Sequence, residues 1–375
     1  MNKQGAESLS KRTTWEKAIL VAVKTGATKE AEFNSSLQEL AGLAEAAGAK
    51  VVATLTQARD KPHAATYIGK GKLQELEHLL AEKEPELLIF DSELSPTQLR
   101  KLEDKLQIKI VDRTLLILDI FGQRARSREG LLQVELASLE YRLPRLTGIG
   151  KEMSRLGAGI GTRGAGEQKL ELDRRHIRSR IREIKRQMEK LEKTRELHKK
   201  QRHRAGYQVI SLVGYTNAGK SSLFNALCQV AHSSGQPQVE ANRRLFQTLD
   251  TTTRKIKLDS HYEVLITDTV GFIQNLPHHL VAAFRSTLEE AVAADLLLHV
   301  VDLADPAYLD KIKVVEGVLE ELGAEKERIM PVFNKVDLLA GISPIQAPPN
   351  YVSARTGQGI EELLGQIKNR LEAIS

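Results

Sequence analysis

The chain has 375 residues, a formal net charge of +6, 41% hydrophobic residues and 28% charged residues, the balance of a folded globular protein and not of a disordered one. No apolar run approaches the ~18 residues of a membrane span, the N-terminal stretch up to Lys17 has no apolar core and is not expected to act as a signal peptide, and one cysteine, Cys228, excludes a disulfide framework and a multi-cysteine zinc site. The expected location is the cytoplasm, and the length suits two or three domains of roughly 100–200 residues each.

The first part alternates short apolar runs with helical patterns. Ala18–Val23, Lys50–Gln57, Glu86–Asp91 and Ile108–Asp112 are rich in Val and Ile and too short for helices, so they predict strands. Phe33–Ala47 and Lys72–Lys83 predict helices, the second preceded by Gly69 and Gly71 and stopped by Pro85. Strands alternating with helices imply a parallel sheet covered by helices, here a domain over residues 1–126. His63, His78 and Asp91 are scattered through it and read as surface or packing residues, which disfavours a metabolic enzyme built on this domain.

A second region, 127–205, carries two long helical patterns. Leu132, Leu136, Leu139 and Leu143 form one apolar stripe, and Ile177, Ile181, Ile184, Met188 and Leu191 form the other. Each stripe must be buried, and an antiparallel hairpin buries both. The gap between them is expected to be its tip, a loop with Gly148, Gly150, Gly157, Gly159, Gly161, Gly164 and Gly166 among Lys151, Arg155 and Arg163. Residues 169–204 hold 15 Lys and Arg against 6 Asp and Glu. That excess points to a polyanion, most simply RNA, with Arg155 and Arg163 as the candidate phosphate contacts.

The third region, 206–375, returns to the strand and helix alternation. Tyr207–Gly214 is a strand, further strand runs lie within Tyr262–Gly271, Asp295–Asp302 and Met330–Asp337, and a short strand is expected at Asn350–Val352. Gly214-Tyr215-Thr216-Asn217-Ala218-Gly219-Lys220-Ser221 fits G-x-x-x-x-G-K-[ST] directly after a strand and at the start of the helix that carries Leu223, Phe224 and Leu227, with Cys228 as a small core residue on it. Such a loop aims backbone N–H groups and a helix N-terminus at phosphates, with Lys220 on the β- and γ-phosphates and the Ser221 hydroxyl on Mg²⁺.

Asp268-Thr269-Val270-Gly271 then supplies D-x-x-G, in which Asp268 orders a metal-bound water and the Gly271 amide meets the γ-phosphate. Asn334-Lys335-Val336-Asp337 supplies N-K-x-D, where the Asp337 carboxylate accepts the N1 and N2 protons that guanine has and adenine lacks. Ser353-Ala354-Arg355 offers its backbone to the guanine O6. The stretch Phe246-Gln247-Thr248-Leu249-Asp250-Thr251-Thr252-Thr253-Arg254 offers four Thr as the second Mg²⁺ ligand, and the residues alone do not choose among them. Asn217 is the candidate ligand of a K⁺ ion beside the phosphates. No catalytic residue is identified: Phe272 stands directly after D-x-x-G, where many GTPases place Gln, and the nearest amide is Gln274.

The set of motifs resembles the translation-factor-type GTPases, and Ala65–Leu76, Asp112–Leu146, Gly161–Arg175, Leu245–Arg254 and Asp268–Glu290 are similar to the HflX family of ribosome-associated GTPases. The resemblance runs from about Trp15 to the C-terminus. It implies an N-terminal α/β domain, a helical hairpin with a glycine-rich tip and a GTPase domain, and a factor that binds the large ribosomal subunit and acts in splitting or rescuing stalled ribosomes under stress. In the family's F-x-T-L-D motif the Thr is the metal ligand, and that position is Thr248. Gln247, Thr251 and Arg355 depart from the residues usual there. The expectation is thus a monomeric GTP-hydrolysing factor that uses Mg²⁺ and docks on ribosomal RNA. An RNA-binding or remodelling module whose affinity is regulated by nucleotide is the alternative.

Overall fold

The computed structural model describes residues 15–156, 165–204, 206–231, 245–246, 251–259, 262–274, 288–289, 291–339 and 350–374. The chain divides into two compact units, one ending at Leu116 and the other starting at Ile117.

In the first unit the four apolar runs form β1 (Glu16–Thr25), β2 (Ala49–Arg59), β3 (Leu87–Phe90) and β4 (Lys109–Asp112). Between them lie α1 (Glu30–Ala47), α2 (Lys70–Lys83) and α3 (Pro96–Leu106), and α4 (Arg113–Arg124), which follows β4, belongs from Ile117 onward to the second unit. The strands pair in parallel in the order β2-β1-β3-β4. Ala18–Ala22 and all of β3 are buried without alternation, as strands covered on both faces must be. α1 and α2 start a few residues earlier than periodicity alone suggests. α3 is fixed by its cap: Ser95 and Gln98 exchange side chain-to-backbone hydrogen bonds, and Pro96 occupies the first turn.

Asp91 follows β3 and accepts from Arg113 at 2.8 Å and from Ser36 at 3.2 Å. Arg113 is itself buried and also pairs with Glu39. Burial lifts the Asp91 carboxyl above its ordinary range, and the guanidinium opposes that shift. The His63 ring holds its own turn, 3.0 Å from the Thr66 hydroxyl, and His78 is exposed on α2. These are the contacts of packing residues.

In the second unit α5 (Arg128–Leu156) and α6 (Ala165–Arg204) pack against each other. Leu132, Leu136 and Leu139 meet Ile181, Ile184, Met188 and Leu191 in one seam. Glu129 near the start of α5 pairs with Arg195, while Glu135 and Glu140 further along pair with Arg180 and Lys185 in an earlier part of α6, the antiparallel hairpin that the stripes imply. The tip is shorter than expected. Gly148, Gly150, Lys151 and Arg155 lie on the helical backbone of α5, and Gly166 lies on that of α6. Glycine costs a helix about 1 kcal/mol, but Leu146, Ile149, Met153 and Leu156 prolong the apolar spacing of three and four that began at Leu132, and that period carries the helix through them. Arg163 lies outside the described residues.

The rest of this unit is a five-stranded sheet in the order β6-β7-β5-β8-β9. Its strands are β5 (Gln208–Gly214), β6 (Thr252–Lys257), β7 (Glu263–Asp268), β8 (Leu296–Asp302) and β9 (Ile329–Asn334). All pair in parallel except β6, which runs antiparallel to β7. The helices α7 (Lys220–Val230), α8 (Tyr308–Glu321) and α9 (Ile360–Ile374) complete it. Leu223, Phe224, Leu227 and Cys228 from α7 share one core with Ile367 and Leu371 from α9. The short strand expected at Asn350–Val352 is reduced to a single parallel bridge between Tyr351 and Phe333.

Candidate functional site

The site is built at the carboxyl ends of β5, β7, β8 and β9, where α/β sheets hold their ligands. β5 ends at Gly214, and residues 215–219 curl back before α7 starts at Lys220. Tyr215, Thr216 and Ala218 are buried, while Asn217 is exposed with φ at 60°, a left-handed conformation that Asn tolerates. Gly219 has φ at 92°, and a Cβ there would lie 2.3 Å from Asn334 Nδ2. The position therefore excludes every side chain on both conformation and space.

Lys220 is buried, and its Nζ donates to the carbonyls of Gly214 at 3.1 Å and Tyr215 at 2.9 Å. Burial lowers its pKa to about 8, and Asp268 opposes that shift. A desolvated ammonium among backbone carbonyls favours an anionic ligand. Ser221 Oγ donates to Asp268 Oδ2 at 2.6 Å, so the first residue of D-x-x-G already touches the phosphate loop. A hydroxyl and a carboxylate side by side are hard oxygen donors of the kind Mg²⁺ takes, so these residues fit that ion.

The two loops are also laced through their backbones. Thr216 N–H donates to the Phe272 carbonyl at 2.7 Å, and Phe272 N–H donates to the Gly214 carbonyl at 3.1 Å. Between them a Cβ on Gly271 would come within 2.7 Å of Thr216 Cα. Thr269 donates to the Leu212 carbonyl at 2.6 Å, and Val270 is buried beside it. Phe272 is buried in the core with Val213 and Tyr215. Gln274 N–H donates to the Tyr215 hydroxyl at 2.7 Å.

Across the site, Asn334 joins three loops. Its Nδ2 donates to the Ala218 carbonyl at 3.0 Å, and its Oδ1 accepts from Ala354 N–H at 3.0 Å. Lys335 has φ at 68° and donates to Asp302 at the end of β8, 2.6 Å away. Val336 opens a 3-10 turn that presents Asp337 to solvent. Ser353 Oγ donates to Asp337 Oδ1 at 2.7 Å and is itself fully buried. Arg355 is exposed, and the Ala354 backbone N–H beside it reaches Asn334.

Of the F-x-T-L-D stretch, Phe246 is described and buried, and its N–H donates to Thr216 Oγ1 at 3.2 Å. Its ring packs edge-on against Phe121 of α4, with centroids 4.6 Å apart. Gln247, Thr248, Leu249 and Asp250 lie outside the described residues. Two of the four Thr offered as metal ligands are removed by position. Thr252 and Thr253 belong to β6, and Thr253 Oγ1 lies 2.9 Å from Thr267 Oγ1 on β7.

Three contributions lie outside what the motifs signal, one of them made by a side chain within the phosphate loop itself. Asp302 anchors Lys335, the Tyr215 hydroxyl holds the segment after Phe272, and His299 sits buried on β8. Burial, with Lys220 nearby, lowers the His299 pKa to about 4 and keeps its ring neutral. A strand that ends in Asp just before a loop hints at the first of these, and only the folded sheet reveals the other two.

Residues 34–122 match the family described as GTP-binding GTPase N-terminal, residues 124–202 the GTP-binding GTPase Middle Region, and residues 209–335 the 50S ribosome-binding GTPase. The chain is 52% identical over 356 residues to GTPase HflX of Caldanaerobacter subterraneus, covering 95% of this chain and 81% of that one. It is 42% identical over 363 residues to GTPase HflX of Escherichia coli, covering 95% and 83%. The fold is similar to that of the crystal structure of the SsGBP and GDP complex, with a TM-score of 0.52 at 24% identity over 96% of this chain and 99% of that one.

Proposed function

The chain belongs to the HflX family of GTPases, and we propose that it is a GTP-gated factor that docks on the large ribosomal subunit and splits or rescues stalled ribosomes under stress. It hydrolyses GTP to GDP and phosphate. In this reading Lys220 leaves its two carbonyl partners for the β- and γ-phosphates, and the N–H groups of residues 215–221 line the phosphate chain. Ser221 Oγ and, from the switch loop, Thr248 hold Mg²⁺, which when bound neutralises charge between the β- and γ-phosphates. Asp268 steadies the ion's water, and the Gly271 amide registers the γ-phosphate. Asp337 accepts the N1 and N2 protons of guanine, Ala354 and its neighbours face O6, and Lys335, anchored on Asp302, covers the base. Asn217 holds K⁺ beside the phosphates. Equal hydrolysis rates in KCl and NaCl at matched ionic strength would remove that ion.

The ribosomal half rests on one observation above all: residues 209–335 match the 50S ribosome-binding GTPase family on a chain that also carries a basic hairpin. Arg155, near the end of α5, and Arg163 contact ribosomal RNA. The factor acts as a monomer in the cytoplasm. Among the described residues no helix is long and apolar enough to cross a membrane.

The test is sedimentation of purified large subunits with the protein and GTP, a non-hydrolysable analogue or GDP. Co-sedimentation with the analogue and release with GDP is the expected result. Equal binding in both states would remove the gate. Binding to intact ribosomes with no separation of their subunits would favour the nucleotide-regulated RNA-binding module.

A further inference from the structure

Arg178, Arg182, Arg186, Lys190 and Lys193 follow one another along α6 at spacings of four, four, four and three, the spacing of a single ridge on a helix. All five are exposed. The seam that α6 turns toward α5, through Ile181, Ile184, Met188 and Leu191, lies on the opposite side of the helix. At 1.5 Å per residue the ridge is ~22 Å long.

Its charge is not spent within the protein. The cations of α6 nearest the seam are matched by α5: Arg180 grips both oxygens of Glu135 at 2.7 and 2.8 Å, Lys185 meets Glu140 at 2.9 Å, and Arg195 pairs with Glu129. Among the described residues none of the five ridge cations forms an ion pair, although Glu183, Glu189 and Glu196 stand three or four residues from members of the row. Cations at i and i+4 repel one another and oppose the helix. The hairpin seam holds the helix in spite of them, so the row is a feature the fold carries and not one it needs.

The chemistry of the row selects its partner. Guanidinium groups bind phosphate oxygens in pairs, and a straight, rigid line of cations follows a continuous backbone. Unpaired RNA is gripped by stacking its bases on aromatic rings, and α6 has no Phe, Tyr or Trp along its length. Paired RNA has its bases hidden and shows proteins its phosphates and riboses. We infer that the Arg178–Lys193 ridge docks along the phosphate backbone of duplex RNA. It is a surface separate from the hairpin tip, and placing that duplex on the large ribosomal subunit rests on the function proposed above.

The test uses the full chain with Arg178, Arg182 and Arg186 all changed to Gln, and two probes: a mixed-sequence RNA duplex of about 20 base pairs and purified large subunits. Duplex affinity should fall about tenfold or more, and the slope of log affinity against log salt should shrink by about 2–3, one for each phosphate no longer neutralised. Changing the same three residues to Lys should restore the slope, which a merely structural role would not. Nucleotide affinity should stay at the wild-type value. An unchanged duplex affinity and slope would overturn the inference. So would loss of subunit binding with duplex binding intact, because the ridge would then face ribosomal protein. A wild-type chain that grips the duplex through the ridge but never co-sediments with large subunits would leave the ridge standing and overturn the ribosomal reading.

Discussion

Asp337 spends one carboxylate oxygen on the Ser353 hydroxyl and stands at the open rim of the site. The remaining acceptor capacity is what would read guanine, by hydrogen bonds to a charged group worth about 1.5–3 kcal/mol each. Asp337→Asn should therefore weaken GTP binding at least about tenfold and shift preference toward xanthosine triphosphate, whose base has a carbonyl where guanine has an amino group. Titration of both nucleotides checks this, and full GTP affinity in the variant would refute the assignment. His299 gives a pH signature. Above pH ~6.5 its ring is neutral folded or unfolded. Below that the unfolded chain takes up a proton that the buried ring, with its pKa near 4, refuses. Stability should fall as the pH drops from 6.5 toward 4, by up to about 3 kcal/mol. Urea unfolding at pH 7 and pH 4.5 should show a smaller acid loss for His299→Leu than for wild type, and equal losses would mean that the ring is not held neutral. Phosphate-loop and base-loop residues were legible in the sequence because each motif is a local backbone shape with a fixed residue order. Asp302 and His299 were not, because their roles come from strands that neighbour only in the folded sheet.

Among the elements, the α5–α6 hairpin rests on a narrow seam with Ile184 fully buried at its centre. Ile184→Ala should cost ~2–5 kcal/mol locally and speed amide exchange along Leu132–Leu143 while GTP affinity stays unchanged. Unaltered exchange would show that the helices are stable without the seam. Apolar periodicity marks both helices and implies their antiparallel pairing, whereas Gly148 and Gly150 read as breakers although α5 runs through them to Leu156. β6 is hidden for the opposite reason. It is an edge strand of Thr, Arg and Lys in which only Ile256 is buried, so it offers almost no hydrophobic signal and reads as loop.

The molecule as a whole combines two α/β sheets, a basic hairpin and a candidate nucleotide site whose phosphate-loop and base-loop segments come together at the ends of β5, β7 and β9. The residue after D-x-x-G is Phe272, whose backbone is bonded into the phosphate loop and whose ring lies in the core. The Phe272 side chain cannot orient an attacking water, and we propose that the large ribosomal subunit supplies the missing help. Single-turnover GTP hydrolysis, with and without large subunits, for wild type and Gln274→Ala, tests this most directly. The free protein should react slowly, at a rate indifferent to Gln274→Ala, and large subunits should accelerate it on the scale of about 10³–10⁵ that a supplied catalytic group gives. A fast rate without subunits that collapses in Gln274→Ala would contradict it.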